Sequence, residues 1–312
     1  MTRDVLVLLA GLGCAAAGGE LFVRGAVGVA TRLRIPGGIV GATVVAFATS
    51  SPELAVGIAS ARSGTPGLAL GDALGSNVVN VGLVLGLVLL LGTLATTRQA
   101  GLRRDVLFAL ALPALLAVLA LDETISRADG GVLLVVFLLW LVLTTLEARR
   151  ERSAATADAI GEERGRGRLV AVTVAGIALL VLAGRLIVAG ARPIGTELGL
   201  DPFVVGVVIV AVGTSAPELA TALVARLRGH GEIGLGNVIG SNVFNGGFIV
   251  AVVALIQPIR FELGEIAVGL AYGLGLVALL AVAGAGRLGR PLGLILVAAY
   301  VASVATLLAT AR

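Results

Sequence analysis

The stretch ATSSPELA at residues 48–55 recurs as GTSAPELA at 213–220, and GDALGSNVVNVG at 71–82 recurs as GNVIGSNVFNGG at 236–247. Upstream of both, GELFVRGA at 19–26 lies over GRLIVAGA at 184–191. All three matches keep one offset of 165 residues, with no insertion between Gly19 and Gly82. Between Val40 and Gly82, 19 of 43 positions are identical to their mates. Apolar sequence matches itself by chance, but Thr, Ser, Pro, Glu and Asn do not coincide together in that way. The chain is therefore an internal duplication, and the repeat decides the fold.

The medium that surrounds the repeat follows from composition. Of 312 residues, 58% are hydrophobic and only 13% charged, and the mean hydropathy is +1.06. Soluble domains carry about 25% charged residues. The apolar residues come in long runs, and about 20 helical residues cross the ~30 Å hydrocarbon core. Alternation with period two is absent, so the spans are helices and not barrel strands. Cutting at charges, Pro and Gly predicts ten spans, at 4–23, 36–61, 68–95, 104–121, 129–148, 168–190, 202–225, 232–257, 264–285 and 290–310. The first run lacks a cleavage signal and reads as a retained span. The lone Cys14 sits within it and says nothing about disulfides. The pI near 10.4 does not point to nucleic acid, because every basic residue is Arg and their placement follows membrane topology.

One long polar stretch, Glu147–Arg168, divides the spans into two groups of five. The expected organisation is a first five-helix repeat at 1–148, an Arg-rich linker at 149–167 and a second repeat at 168–312. If the linker is cytoplasmic, loop parity places 16 Arg inside and 6 outside, leaving Arg185 within a span. That asymmetry obeys the positive-inside rule and predicts both termini outside. An odd number of spans per half inserts the halves with opposite orientation. The expected architecture is thus an all-α polytopic membrane protein of two inverted five-helix repeats, the plan of many secondary transporters.

The chemistry lies in the repeated segment. Glu53 and Glu218 fall near the middle of the second and seventh spans. A charge at that depth costs at least ~2.5–3.5 kcal/mol and must face a cavity or a partner. No Arg lies at comparable depth in these helices, so a bound cation is the natural counter-charge. Thr49 and Ser50 share a helix face with Glu53, and Thr214 and Ser215 do so with Glu218. Pro52 and Pro217 free the carbonyls of Ala48 and Gly213, four residues earlier. Ser76 and Asn80 on the third span, and Ser241 and Asn245 on the eighth, add further oxygen donors one turn apart. Two carboxylates with amides, hydroxyls and carbonyls suit a hard cation such as Ca²⁺ or Na⁺. The only Cys and the only Met lie outside the motif, and His230 falls in a loop.

GATVVAFATSSPEL with GDALGSNVVN, repeated as GVVIVAVGTSAPEL with GNVIGSNVFN, resembles the two alpha-repeats of the calcium/cation antiporter superfamily, and most of all the prokaryotic sodium/calcium exchangers. The resemblance spans essentially the whole chain, with alpha motifs at 36–95 and 202–257. It implies that Glu53 and Glu218 form a central Ca²⁺ site, completed by Asn80 and Asn245 with Ser50 and Ser215 beside it. Ala46, Thr49 and Ser76 would line one flanking Na⁺ site, and Ala211, Thr214 and Ser241 the other, the alanines acting through their carbonyls. It further implies alternating access, with spans 1 and 6 sliding across the other eight. The family's potassium-dependent members carry Asp at the position of Asn245, so Asn there fits a potassium-independent exchanger.

Asp72 stands where the motif more usually has Asn, as its mate Asn237 does; it reads as a cap of the third helix in preference to a charge at the site entrance. Glu20 and Arg24 read as a local i, i+4 ion pair, and Arg185 as a snorkelling side chain. The expected partners are Ca²⁺, Na⁺ and the lipid bilayer of the cell membrane, for a monomer with no cofactor, nucleotide or nucleic acid. The expected function is secondary exchange of Ca²⁺ for Na⁺ by alternating access, with Ca²⁺/H⁺ exchange as the alternative and a cation channel ranked below both. An intramembrane enzyme does not fit, since no His–Asp pair or dense acid cluster lies at membrane depth.

Overall fold

The computed structural model describes residues 2–32, 43, 45–95, 100–154, 166–227, 229, 231–283 and 287–310. Helix α1 runs Thr2–Arg32. Helix α2 is in two pieces, α2a (Ala46–Thr49) and α2b (Ser51–Arg62). Helix α3 covers Pro66–Leu90, α4 Ala100–Leu119, α5 Arg127–Ala154 and α6 Arg166–Glu197. Helix α7 covers Pro202–Leu227, with α7b (Ala216–Leu227) as its second piece. Helix α8 joins Gly231–Val243, a π-helical Phe244–Ile249 and Val250–Ile256. Helices α9 (Leu263–Ala283) and α10 (Arg290–Thr310) complete the chain.

These elements form an all-α, ten-helix membrane bundle. Among the described residues, 8 helices are long and apolar enough to cross a bilayer: α3 to α10. The first part of the expected second span 36–61, residues 36–42 and 44, lies outside the described residues. The termini of several helices differ from expectation. Helix α5 continues through EARRERSA to Ala154, and α6 begins at Arg166. Ala, Glu and Arg are strong helix formers that carry a helix past the hydrocarbon edge. Of the expected linker 149–167, residues 155–165 lie outside the described residues.

Helices α3 and α8 are the hubs, with spans 83% and 78% buried against 22–50% for the other six. Helix α3 crosses α7, and α8 crosses α2, so each repeat threads its third helix against the second helix of the other. Absent side chains make the first crossing tight. A β-carbon at Gly71 would stand 2.0 Å from the Phe203 carbonyl oxygen, and one at Gly206 would stand 2.6 Å from the Asp72 amide nitrogen. Small residues let membrane helices approach closely where no hydrophobic driving force separates protein from lipid.

The halves are inverted. Helices α1 and α6, which hold the matched octapeptides, lie against each other with glycines at the contact. Gly11 faces Ile187, Gly18 faces Leu180 and Gly190 faces Leu8, so one helix climbs as the other descends. Two short ribbons give the same answer. Strand β1 (Leu94–Ala95) pairs with β4 (Arg287–Leu288), and β2 (Thr124–Ile125) pairs with β3 (Ile259–Arg260). Helix α4 separates β1 from β2, and its 20 residues rise ~30 Å, so the ribbons cap opposite ends of the bundle. The repeat offset of 165 carries β1 onto β3, that is, from one end to the other. The α2–α3 and α7–α8 turns also match, with Gly64 and Gly229 as mates at φ 76° and 82°, a conformation that glycine adopts without strain.

Backbone meets backbone at Gly71, so neither side can yield to a new methyl. Gly71→Ala should therefore destabilise the protein by about 1–3 kcal/mol. The measurement is the unfolding temperature in detergent; an unchanged value would mean that α3 and α7 do not touch there.

Candidate functional site

The site begins with two broken helices. Pro52 occupies the second position of α2b and has no N–H to give back to Ala48. The chain turns at Ser50 (φ −84°, ψ 9°) and resumes as α2b. In the second repeat it turns at Ser215 (φ −79°, ψ 4°), two residues before Pro217. Glu53 and Glu218 then fall in the first turn of the resumed half-helices, where the helix dipole favours negative charge. Both are wholly buried.

Polar groups pair both within each repeat and across the two repeats. Ser241 Oγ donates to Glu218 Oε1 at 3.1 Å, and its mate Ser76 Oγ makes a long 3.5 Å bond to Glu53 Oε1. Thr214 Oγ1 donates to Asp72 Oδ1 at 2.9 Å, and Thr49 Oγ1 donates to Asn237 Oδ1 at 3.1 Å. Across the bundle, Ser50 Oγ donates to Glu218 Oε1 at 3.1 Å, whereas Ser215 Oγ has no partner. Asn80 Nδ2 donates to Asn242 Oδ1, and Asn242 Nδ2 to the Asn77 carbonyl, each at 3.2 Å. The Ala46 carbonyl accepts from Ser50 N at 2.9 Å and the Ala211 carbonyl from Ser215 N at 3.1 Å; the single hydroxyl protons of Thr49 and Thr214 have helix carbonyls as longer alternative acceptors, Ala46 O at 3.3 Å for Thr49, and Val210 O at 3.1 Å and Ala211 O at 3.4 Å for Thr214. All twelve expected residues are thus buried and share the region where the broken helices meet α3 and α8.

Several buried oxygens there have no partner: Glu53 Oε2, Glu218 Oε2, Asn80 Oδ1, Asn245 Oδ1 and Ser215 Oγ. Buried polar atoms are nearly always paired, so a group of orphans in one place calls for a ligand or water. None of the hydrogen-bond donors described to Glu53, Glu218 or Asp72 is basic. Asp105 is the contrast: Arg104 and Trp140 Nε1 bind its carboxylate at 2.7 and 2.8 Å, and Arg104 also pairs with Glu147. Asp105 is therefore structural, while the acids of the site lack a counter-charge. Among the described residues no three acids, His or Cys converge as a metal cluster. A cation here would be held by two carboxylates and neutral oxygens.

Comparison with known proteins places this arrangement. The profile of the sodium/calcium exchanger protein family matches residues 4–146 and 168–309, nearly the whole chain. The chain belongs to the sodium/calcium exchanger family. The putative antiporter CaxA of Alkalimonas amylolytica is 36% identical over 77% of this chain and 76% of its own. The sodium/calcium exchanger MaX1 of Methanosarcina acetivorans is 30% identical over 83% and 85%. A solved structure of the sodium-calcium exchanger NCX_Mj, soaked with Na⁺ and Sr²⁺, superposes with a TM-score of 0.72 at 30% identity, covering 98% of this chain and 99% of that one.

Within this exchanger-family fold, some features were not read from the sequence. Asp72 does not cap α3: Thr65 is the N-cap, and Asp72 lies in the second turn, 1% exposed and bonded to Thr214 of the other repeat. Its helical neighbours have ordinary i→i+4 partners, so the carboxylate has no orphan amide to cap. Asn77 and Asn242 join the network; their identity in both GSN motifs was the available signal. The π-helices Val79–Leu85 and Phe244–Ile249, which hold Asn80 and Asn245, start at matched positions and leave no sequence signature. His230 lies outside the described residues, as does the side chain of Arg24. Arg185 is exposed and lines a groove between α2b and α6.

The unequal roles of the two serines give a test. Ser50→Ala removes a donor from a buried carboxylate and should destabilise the cation-free protein by about 1.5–3 kcal/mol. Ser215→Ala removes an unpartnered hydroxyl and should change the detergent unfolding temperature far less. Equal shifts would contradict the asymmetry.

Proposed function

We propose that this chain is a secondary antiporter that exchanges Ca²⁺ for Na⁺ by alternating access, using one central site shared by both repeats. The observation that carries this reading is the pair of wholly buried carboxylates, Glu53 and Glu218, with no basic donor and one unpartnered oxygen each. Their charge of −2 matches one divalent ion or several monovalent ions. Asn80, Asn245, Ser50 and Ser215 complete the central Ca²⁺ site. Thr49, Ser76 and the Ala46 carbonyl form one flanking Na⁺ subsite, and Thr214, Ser241 and the Ala211 carbonyl form the other. Ca²⁺ accepts many oxygens in a flexible shell, whereas Mg²⁺ gives up its water reluctantly.

The moving part is the α1–α6 pair. It rests on the helices that hold the carboxylates: a β-carbon at Gly184 would stand 2.6 Å from the Ala55 carbonyl, and one at Gly213 would stand 2.2 Å from Leu12. A shift of this pair along α2 and α7 uncovers the site at one end as it covers it at the other. The helix breaks at Ser50 and Ser215 keep the ligands fixed while it moves. Loop arginines put the α5–α6 linker in the cytoplasm and both termini outside.

The test is ⁴⁵Ca²⁺ uptake into vesicles under imposed Na⁺ or H⁺ gradients. A Na⁺ gradient should drive uptake; drive by protons alone would replace Na⁺ with H⁺ as counter-ion. Flux without any counter-ion would mark a channel. Glu53→Gln and Glu218→Gln should each reduce uptake at least ~100-fold, since a charge in contact with the ion is lost. Full transport by both variants would refute the site.

Orientation is tested separately in a Cys14→Ser background. A membrane-impermeant thiol reagent applied to intact cells should label Arg260→Cys in the β2–β3 ribbon and spare Arg287→Cys in the β1–β4 ribbon. The reverse pattern would invert the topology.

A further inference from the structure

Three arginines share one groove on the exposed side of the bundle. Arg62 on α2b and Arg185 and Arg192 on α6 line a groove of about 510 Å³ between the two helices. All three are exposed, and among the described residues none of them makes a hydrogen bond or ion pair. Among the described residues that line the groove none is acidic, and apart from Ser63 the other walls are apolar, with Ile58, Val181, Val188 and Ala189 among them. The charges do not follow from the duplication, because their repeat mates are Leu227, Glu20 and Val27. None of the cation-site residues lies in the groove, so what binds there does not depend on which ions are exchanged.

The two helices fix the depth of each charge. Gly64 of the α2–α3 turn and Asp201 before α7 both line a cavity with Arg260 of β3, so α2b and α6 run toward the β2–β3 end of the bundle. The helices touch where Gly184 meets the Ala55 carbonyl. At ~1.5 Å per residue, Arg62 lies ~10 Å beyond that contact and Arg192 ~12 Å beyond it, at the mouth of the groove. Arg185 stands beside the contact, roughly 10 Å deeper than the other two. A cation at that depth between apolar walls needs an acceptor.

We propose that this groove binds one anionic phospholipid from the leaflet at the β2–β3 end. Arg62 and Arg192 take the phosphate, to which guanidinium groups donate charge-assisted hydrogen bonds. Arg185, deeper in the groove, donates to the ester carbonyls that lie beneath the phosphate in the same molecule. An acyl chain covers Ile58, Val181 and Val188. Basic clusters at a membrane surface attract anionic lipids, and the groove has the size of an ordinary ligand site, ~300–1,000 Å³. A free phosphate ion fits only the mouth, because it has neither a chain for the apolar walls nor acceptors at the depth of Arg185. The bound lipid bridges α6 to α2b, the half-helix that carries Glu53.

The experiment measures binding of radiolabelled dioleoylphosphatidylglycerol to the full chain, immobilised in detergent micelles. Wild type should retain one saturable lipid per chain. Unlabelled dioleoylphosphatidylcholine, with the same chains and no net charge, should compete at least ~tenfold more weakly than the unlabelled anionic lipid. Arg62→Gln, Arg185→Gln and Arg192→Gln should each weaken binding about fivefold, whereas Arg260→Gln at the same end should leave it unchanged. Ala189→Trp keeps all three arginines but fills the groove, and should abolish the saturable lipid. All the substituted side chains are exposed, so the variants keep the core packing. An equal loss in Arg260→Gln, or full binding by Ala189→Trp, would mean attraction to a basic surface and overturns the proposal. Displacement by millimolar inorganic phosphate marks a simple anion site and overturns it too. Equal competition by phosphatidylcholine, or no saturable lipid on wild type, has the same consequence.

Discussion

A carboxylate at bilayer depth costs several kcal/mol unless something offsets its charge, and this bundle buries Glu53, Glu218 and Asp72 together without a described basic donor to any of them. The rest of the fold answers that constraint. Both glutamates sit in the first turn of a half-helix, because the second helix of each repeat is interrupted just before Pro52 and Pro217. The hydroxyls of Ser76 on α3 and Ser241 on α8 bond to them, and glycine-lined crossings bring those helices within reach. Asp105 follows the opposite rule: an arginine and an indole bind it, and it locks α4 to α5.

Inversion makes one site from two repeats. Parallel halves would set their broken helices side by side; antiparallel halves set them face to face, so Thr49 reaches Asn237 and Thr214 reaches Asp72. The same operation exchanges the β1–β4 ribbon at one end of the bundle with the β2–β3 ribbon at the other. An architecture with equivalent ends is suited to presenting one set of ligands alternately to either side. The repeats are not identical, as Asp72 against Asn237 shows.

Much of this was legible in the chain itself. The offset of 165 and the ten apolar runs give the inverted architecture, since polar identities in an apolar background resist chance. The buried network was legible as a residue set, because TSxPE and GSN gather oxygen donors on defined helix faces. Helix ends were less so: helix-forming Glu, Ala and Arg let α5 run to Ala154 where charge alone marks a boundary. The part played by Asp72 could not be read, because capping and cross-repeat bonding use the same carboxylate and only the α3–α7 crossing chooses between them. The π-helices around Asn80 and Asn245 start at matched positions of the two repeats, and no sequence pattern read above marks them.

The most direct test is a calorimetric titration of the purified protein with Ca²⁺ in Na⁺-free buffer. A single site shared by the repeats binds one Ca²⁺ per chain, and either Glu53→Gln or Glu218→Gln removes it. Two independent ions per chain, with one retained by each variant, would contradict a shared site.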